Sequence, residues 1–178
     1  MWREARHEDA LPLRTEVYVD HIQPLTLVAL NTGLRRGELF SLIWRDVDLA
    51  GKVLTVQGSS AKSGQTRRVP LNAEAVEVLT AWRKQAADHS AGAYVFPGEE
   101  GARLNNVNRG WRTACKFAGL TDFRFHDCRH HFASRLVQSG TDLNVVRELL
   151  GHADLTMTLR YAHLAPGNMA AAVERVAR

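Results

Sequence analysis

Five glycines, at positions 33, 119, 140, 151 and 167, each close a stretch of helical composition, so this chain folds as many short helices rather than a few long ones. Glycine adopts the left-handed backbone that ends a helix at little steric cost, which makes each of them a natural stop. The helical stretches run over 24–31, 36–44, 72–87, 105–118, 126–138, 142–150, 154–163 and 168–178. Pro24 suits the first turn of the first, where its missing N–H costs nothing. Asn72 is placed to cap the third, with Glu74 in its first turn. Residues 53–57 alternate as a strand, 67–70 read as its partner, and 94–96 as a third strand. The nine residues between the first two, 58–66, are small and polar and form a flexible hairpin tip carrying Lys62. These elements add up to an α+β fold, mainly helical, with a small three-stranded antiparallel sheet. No internal repeat or low-complexity tract interrupts it.

A chain of 178 residues fits one domain, and 45% apolar against 24% charged residues is the balance of a packed core rather than of disorder. The best apolar stretch, 25–30, falls far short of the roughly 20 residues needed to span a bilayer. The first residues carry charges with no apolar stretch behind them, unlike a signal peptide. Two cysteines, Cys115 and Cys128, make neither a disulfide framework nor a paired zinc spacing, so a cytoplasmic location is expected. Net charge is +4 and the isoelectric point about 9.4. The excess is concentrated: between Gly101 and Val137 seven Lys/Arg face only Asp122 and Asp127. Such a patch suits a polyanion, because every phosphate it neutralises releases counterions. A solvated helix face has the same composition, and charge alone does not separate the two.

Four segments separate them when taken together. They are Thr32-Gly33-Leu34-Arg35-Arg36-Gly37-Glu38-Leu39, the hairpin tip with Lys62, His126-Asp127-Cys128-Arg129-His130-His131, and Leu150-Gly151-His152 followed nine residues later by Tyr161. A phosphodiester attacked by an oxygen nucleophile gathers negative charge on its non-bridging oxygens. Two guanidiniums answer that need, being always protonated and able to bind both oxygens at once. Arg35 and Arg129 fit that part. His126 and Arg129, three apart on one helix, share a face.

In order and spacing these segments resemble the catalytic domain of the tyrosine recombinase, or phage integrase, family, whose pattern is Arg, Lys, His-x-x-Arg, Gly-His, Tyr. The resemblance runs from about Leu25 to Leu164. It implies a site-specific recombinase that cuts and rejoins duplex DNA through a 3′-phosphotyrosyl intermediate, without metal or other cofactor. Tyr161 is then the nucleophile, His126 its proton acceptor, His152 a further donor to the phosphate and Lys62 the general acid for the leaving 5′-oxygen. Glu38 and Asp127 orient the arginines. Arg36, Arg67, Arg68, Arg109, Arg112 and His130 are the candidate DNA contacts, whereas His131 takes no role.

Residues 1–22 read as a lead-in, the linker to an N-terminal core-binding domain that this chain lacks, and 23–178 as the catalytic domain. The helix at 168–178 is expected to dock on a neighbouring protomer, giving a homotetramer on DNA, with accessory DNA-bending proteins as further partners. Two alternatives stay open: a DNA-binding module with little activity in the absence of its clamp domain, and a type IB topoisomerase-like relaxing enzyme. The His126–His130 spacing also resembles a zinc-protease H-E-x-x-H with Asp127 for the glutamate, but Arg129 would set a fixed positive charge beside the dication.

Overall fold

A computed structural model describes residues 18–61 and 64–166; Lys62, most of the 1–22 lead-in and the 168–178 helix lie outside the described residues. Seven α-helices appear among the described residues: α1 (Ile22–Thr32), α2 (Arg36–Phe40), α3 (Ala73–Gln85), α4 (Asn108–Phe117), α5 (Asp127–Gln138), α6 (Leu143–Leu150) and α7 (Thr156–Leu159). Three strands, β1 (Val47–Asp48), β2 (Val53–Val56) and β3 (Arg67–Pro70), form an antiparallel sheet in the order β1-β2-β3. Leu54 pairs with Val47 on one side and Val69 on the other, and all three are buried. No described helix is long and apolar enough to cross a membrane.

Three expectations are corrected. The helix read over 36–44 stops at Phe40, because the chain beyond it turns extended to pair with 93–95: Val95 N–H donates to Leu42 O at 2.8 Å and Trp44 N–H to Ala93 O at 3.0 Å. Those pairings also explain why 94–96 is no strand of the sheet. Tyr94 makes a single bridge to Ile43, and the third strand is β1. The stretch read as one helix over 154–163 is broken, with α7 ending at Leu159 and a separate 3₁₀ turn over Ala162–Leu164. Tyr161 sits in the corner between them.

The main core lies where α1, α3 and the sheet meet, around Leu25, Val28, Leu54, Val69, Leu79 and Phe96. A second cluster joins α5 to α6 through Ala133, Val137, Val146 and Leu150, and the ring of Tyr161 completes it. Two glycines bring these halves together. Gly33 (φ 64°) ends α1 in the left-handed conformation and lies flat against Phe132 of α5, where a Cβ would collide with the ring. Gly151 (φ 63°) ends α6, and a Cβ there would stand 2.9 Å from the Arg67 guanidinium carbon. Both glycines therefore combine a backbone that favours them with an approach that only they permit.

Candidate active site

The last carbonyls of a helix have no partner inside it and carry its negative dipole end. At the C-terminus of α6 three arginines from three different elements meet those carbonyls. Arg67, from β3, donates Nε–H to Leu149 O at 3.1 Å. Arg129, from α5, donates to Leu150 O at 2.6 Å and to Gly33 O at 2.7 Å. Arg35, in the turn between α1 and α2, reaches Leu150 O at 3.5 Å and Gly151 O at 3.2 Å. A helix end thus serves as the jig that aligns guanidiniums distant in sequence.

Glu38 supplies the matching anion. Its carboxylate side chain, 1% exposed, accepts two bonds from Arg67 at 3.0 and 2.8 Å, one from the Arg35 side chain at 3.0 Å and one from the Arg35 backbone N–H at 2.8 Å. Burial opposes its charge, yet the hydrogen bonds and charge of Arg67, joined by Arg35, hold the carboxyl below the usual range. One carboxylate bonds two of the three guanidiniums but cancels only one of their charges, and Arg129, among the described residues, is held by backbone carbonyls alone, so the cluster keeps a surplus of positive charge. Arg129 is 4% exposed. Burial, then the Arg35 charge, lowers its pKa to about 9, so it remains charged at neutral pH.

Above these arginines opens a cleft of about 650 Å³ lined by Arg35, His126, Arg129, His130, His152, Thr156, Met157, Arg160 and Tyr161. His152, 8% exposed, is fixed by Thr158, whose Oγ1 lies 2.9 Å from Nδ1, so Nε2 is the nitrogen left for a ligand. Burial, followed by the charges of Arg129 and Arg35, takes its pKa down to about 4. His152 is therefore neutral at pH 7 and able to present an N–H. Tyr161, 6% exposed, has its hydroxyl 2.6 Å from Nδ1 of His130. Burial raises the phenol pKa, against the opposing pull of Arg160 and Arg129.

Five of the six residues expected to carry the chemistry, Arg35, His126, Arg129, His152 and Tyr161, line this one cleft. Lys62 lies outside the described residues. Glu38 braces Arg35 as expected from its spacing. Asp127 does not reach the arginine pair: it accepts the Arg124 backbone N–H at 2.8 Å and faces the Arg124 guanidinium at 3.3 Å, which pins the turn leading into α5. Among the expected DNA contacts, Arg36 and Arg112 line an adjoining cleft with Arg35 and His126. Arg68 is exposed. Arg109 borders a separate apolar groove between α1 and α4. Arg67 and His130 point inward, to Glu38 and Tyr161. Sequence reading missed Arg124, Arg160 and Thr158; for Arg160, adjacency to Tyr161 was an available signal. Of the zinc-like pair, His130 turns its Nδ1 to the Tyr161 hydroxyl, and no group of three or more His, Cys, Asp or Glu side chains placed to hold a metal ion is found among the described residues.

A model of the phage integrase family matches residues 6–168. The integrase of Salmonella phage P22 is 38% identical over 152 residues, covering 79% of this chain and 38% of that protein. Tyrosine recombinase XerC of Xanthomonas campestris pv. campestris is 39% identical over 139 residues, covering 75% of this chain and 41% of its own length. This chain thus spans about two fifths of the curated relatives it matches. Among solved structures, the Tn1549 transposon integrase in complex with circular intermediate DNA superimposes with a TM-score of 0.70 at 25% identity, covering 86% of this chain and 59% of that one. The catalytic domain of bacteriophage HP1 integrase gives 0.62 at 26% identity, covering 85% and 79%.

Proposed function

This chain belongs to the phage integrase family, and from that premise we propose that it is the catalytic part of a site-specific DNA recombinase, cutting and rejoining duplex DNA in the cytoplasm through a 3′-phosphotyrosyl intermediate. The observation that carries this reading is the convergence of Arg35, Arg129, His152 and Tyr161 on one cleft. The scissile phosphate sits over the two guanidiniums, which bind its non-bridging oxygens and stabilise the charge that grows there. His152 adds a hydrogen bond from Nε2. His126, exposed at the mouth, meets the same phosphate. Tyr161 Oη attacks phosphorus, the bond to the 5′-oxygen breaks, and Lys62 protonates that oxygen. The reverse reaction with a new 5′-hydroxyl rejoins the strand, so bond energy is conserved. Arg36 and Arg112 carry the adjoining backbone along the second cleft. Arg67 acts on the site through Glu38 and the end of α6. Four protomers on DNA, joined through the 168–178 segment, together with DNA-bending accessory proteins, complete the recombining assembly. Relatives that are integrases and recombinases favour this reading over a relaxing topoisomerase.

The linkage has a polarity that can be read. In a random-sequence pool of nicked duplexes, label at the 5′ end of the cut strand stays with the protein on a denaturing gel, and the released fragment begins with a 5′-hydroxyl that polynucleotide kinase can phosphorylate. Label from the 3′ end travelling with the protein would reverse the assignment. Arg129→Lys tests the clamp in the same assay. A single ammonium cannot hold Gly33 O and Leu150 O while facing a phosphate with a planar fork. Adduct formation is expected to slow by about 10²–10³-fold with DNA retention on a filter kept. A loss of less than about tenfold would remove Arg129 from the clamp.

A further inference from the structure

The partner of the Tyr161 hydroxyl is a histidine other than the one the sequence singles out. His126 is exposed and meets its neighbour His130 edge-on, ring centroids 5.2 Å apart. His130, one residue beyond Arg129 on α5, is the ring that reaches the nucleophile, with Nδ1 at 2.6 Å from Oη and ring centroids 5.9 Å apart. A phenol has a single proton to donate, and a neutral imidazole has one nitrogen that donates and one that accepts. The charges around His130 decide which form it takes. Arg124 precedes α5, Arg129 lies on it, Arg160 flanks the nucleophile, and Arg35 and His152 face the same cleft; among the described residues only Asp127 favours an imidazolium. Burial acts in the same direction as the arginines and keeps the imidazole below its usual pKa. The ring is thus neutral and has a lone pair available for Oη.

We infer that His130 both aims Tyr161 and takes its proton during strand cleavage. This inference rests on the phosphotyrosyl reading. In the forward step the Oη–H bond breaks as the Oη–P bond forms, and the proton passes to Nδ1 of His130. The P–O5′ bond breaks with its electron pair on O5′, which takes its proton from Lys62. On rejoining, the P–Oη bond breaks and the proton on His130 returns to Tyr161. Each proton borrowed in the first half is restored in the second, so no co-reactant is required. His130 is a catalytic residue in the strict sense, since it touches the atom that forms the new bond.

The test compares the full chain with His130→Asn, His130→Ala, His126→Asn and Tyr161→Phe on the random-sequence nicked pool, following adduct formation from about pH 5 to about pH 9. Asn places an amide near the Nδ1 position, so it can keep the hydrogen bond, but it cannot take a proton. In the wild type the rate falls toward acid pH as His130 becomes protonated. His130→Asn is expected to form adduct about 10²–10⁴-fold more slowly, to lose that acid limb, and to retain DNA on a filter. His130→Ala regains rate with added imidazole, which a purely packing role would not permit. His126→Asn keeps the acid limb. Nitrogen NMR of the free protein gives a readout independent of activity: His130 carries its proton on Nε2. A proton on Nδ1, a His130→Asn rate within about threefold of wild type, or an acid limb that vanishes with His126→Asn instead, each overturns the inference alone. Absence of adduct in the wild type, or its persistence in Tyr161→Phe, overturns the phosphotyrosyl reading and this inference with it.

Discussion

Replacing Glu38 by alanine is expected to lower the melting temperature by about 10 °C and to abolish measurable strand cleavage. Glu38 is 2% exposed and answers two guanidiniums, Arg35 and Arg67, whose side chains are 19% and 10% exposed. Removing its carboxylate leaves both charges largely out of water with backbone carbonyls but no anion beside them, a change that costs about 3–5 kcal/mol. In a domain of this size each kcal/mol moves the melting point by about 2–4 °C. The chemical loss has a separate origin. Arg35 would keep only its long contacts to Leu150 O and Gly151 O, and a guanidinium free to swing no longer meets the phosphate in one geometry. Glu38→Gln separates the two effects, because it keeps the volume and one acceptor while giving up the charge. It should recover part of the melting point and little of the rate. A Glu38→Ala protein melting within about 2 °C of wild type would show that the three-arginine jig does not depend on this carboxylate.

The residues that can be read from sequence are those whose meaning is local. Gly33 and Gly151 announce helix ends because their left-handed backbone follows directly from the residue type, and both are found in it. Arg35 and Glu38 are three apart and meet across the N-cap of α2, and His126 and Arg129, also three apart, share the first turn of α5, so each pair follows from local geometry. Asn72 caps α3 through its own side chain, accepting from Ala75 N–H at 2.9 Å. What escapes depends on contacts between distant segments. Arg67 reads as a DNA contact because nothing near it in sequence shows that β3 runs beside the end of α6, where Glu38 and Leu149 O wait. The 36–44 stretch has helical composition, but the backbone of 42–44 is claimed by 93–95, a pairing about fifty residues away. His130 sits one residue from Arg129, about 100° around the helix, and only the corner between α7 and the following 3₁₀ turn brings Tyr161 to it. Spacing cannot choose between His126 and His130, since the choice depends on where that corner lies.

In the proposed mechanism strand cleavage rests on a single atom, the hydroxyl oxygen of Tyr161. Tyr161→Phe deletes that oxygen and leaves the ring among Ala133, Val137, Val146 and Leu150. The lost hydrogen bond to His130 costs about 1 kcal/mol, too little to unfold the domain. Everything except the attacking atom remains, including the arginine pair proposed to hold the phosphate, so DNA retention is expected to persist while cleavage falls to nothing. The most direct measurement incubates wild type and Tyr161→Phe with random-sequence nicked duplex DNA in a chelator, then separates the products on a denaturing gel and maps the DNA-linked peptide. A covalent band in the wild type alone, with DNA attached to the peptide containing Tyr161, is the predicted result. A band of equal yield in Tyr161→Phe, or attachment through Tyr18 or Tyr94, would contradict the assignment of Tyr161 as nucleophile.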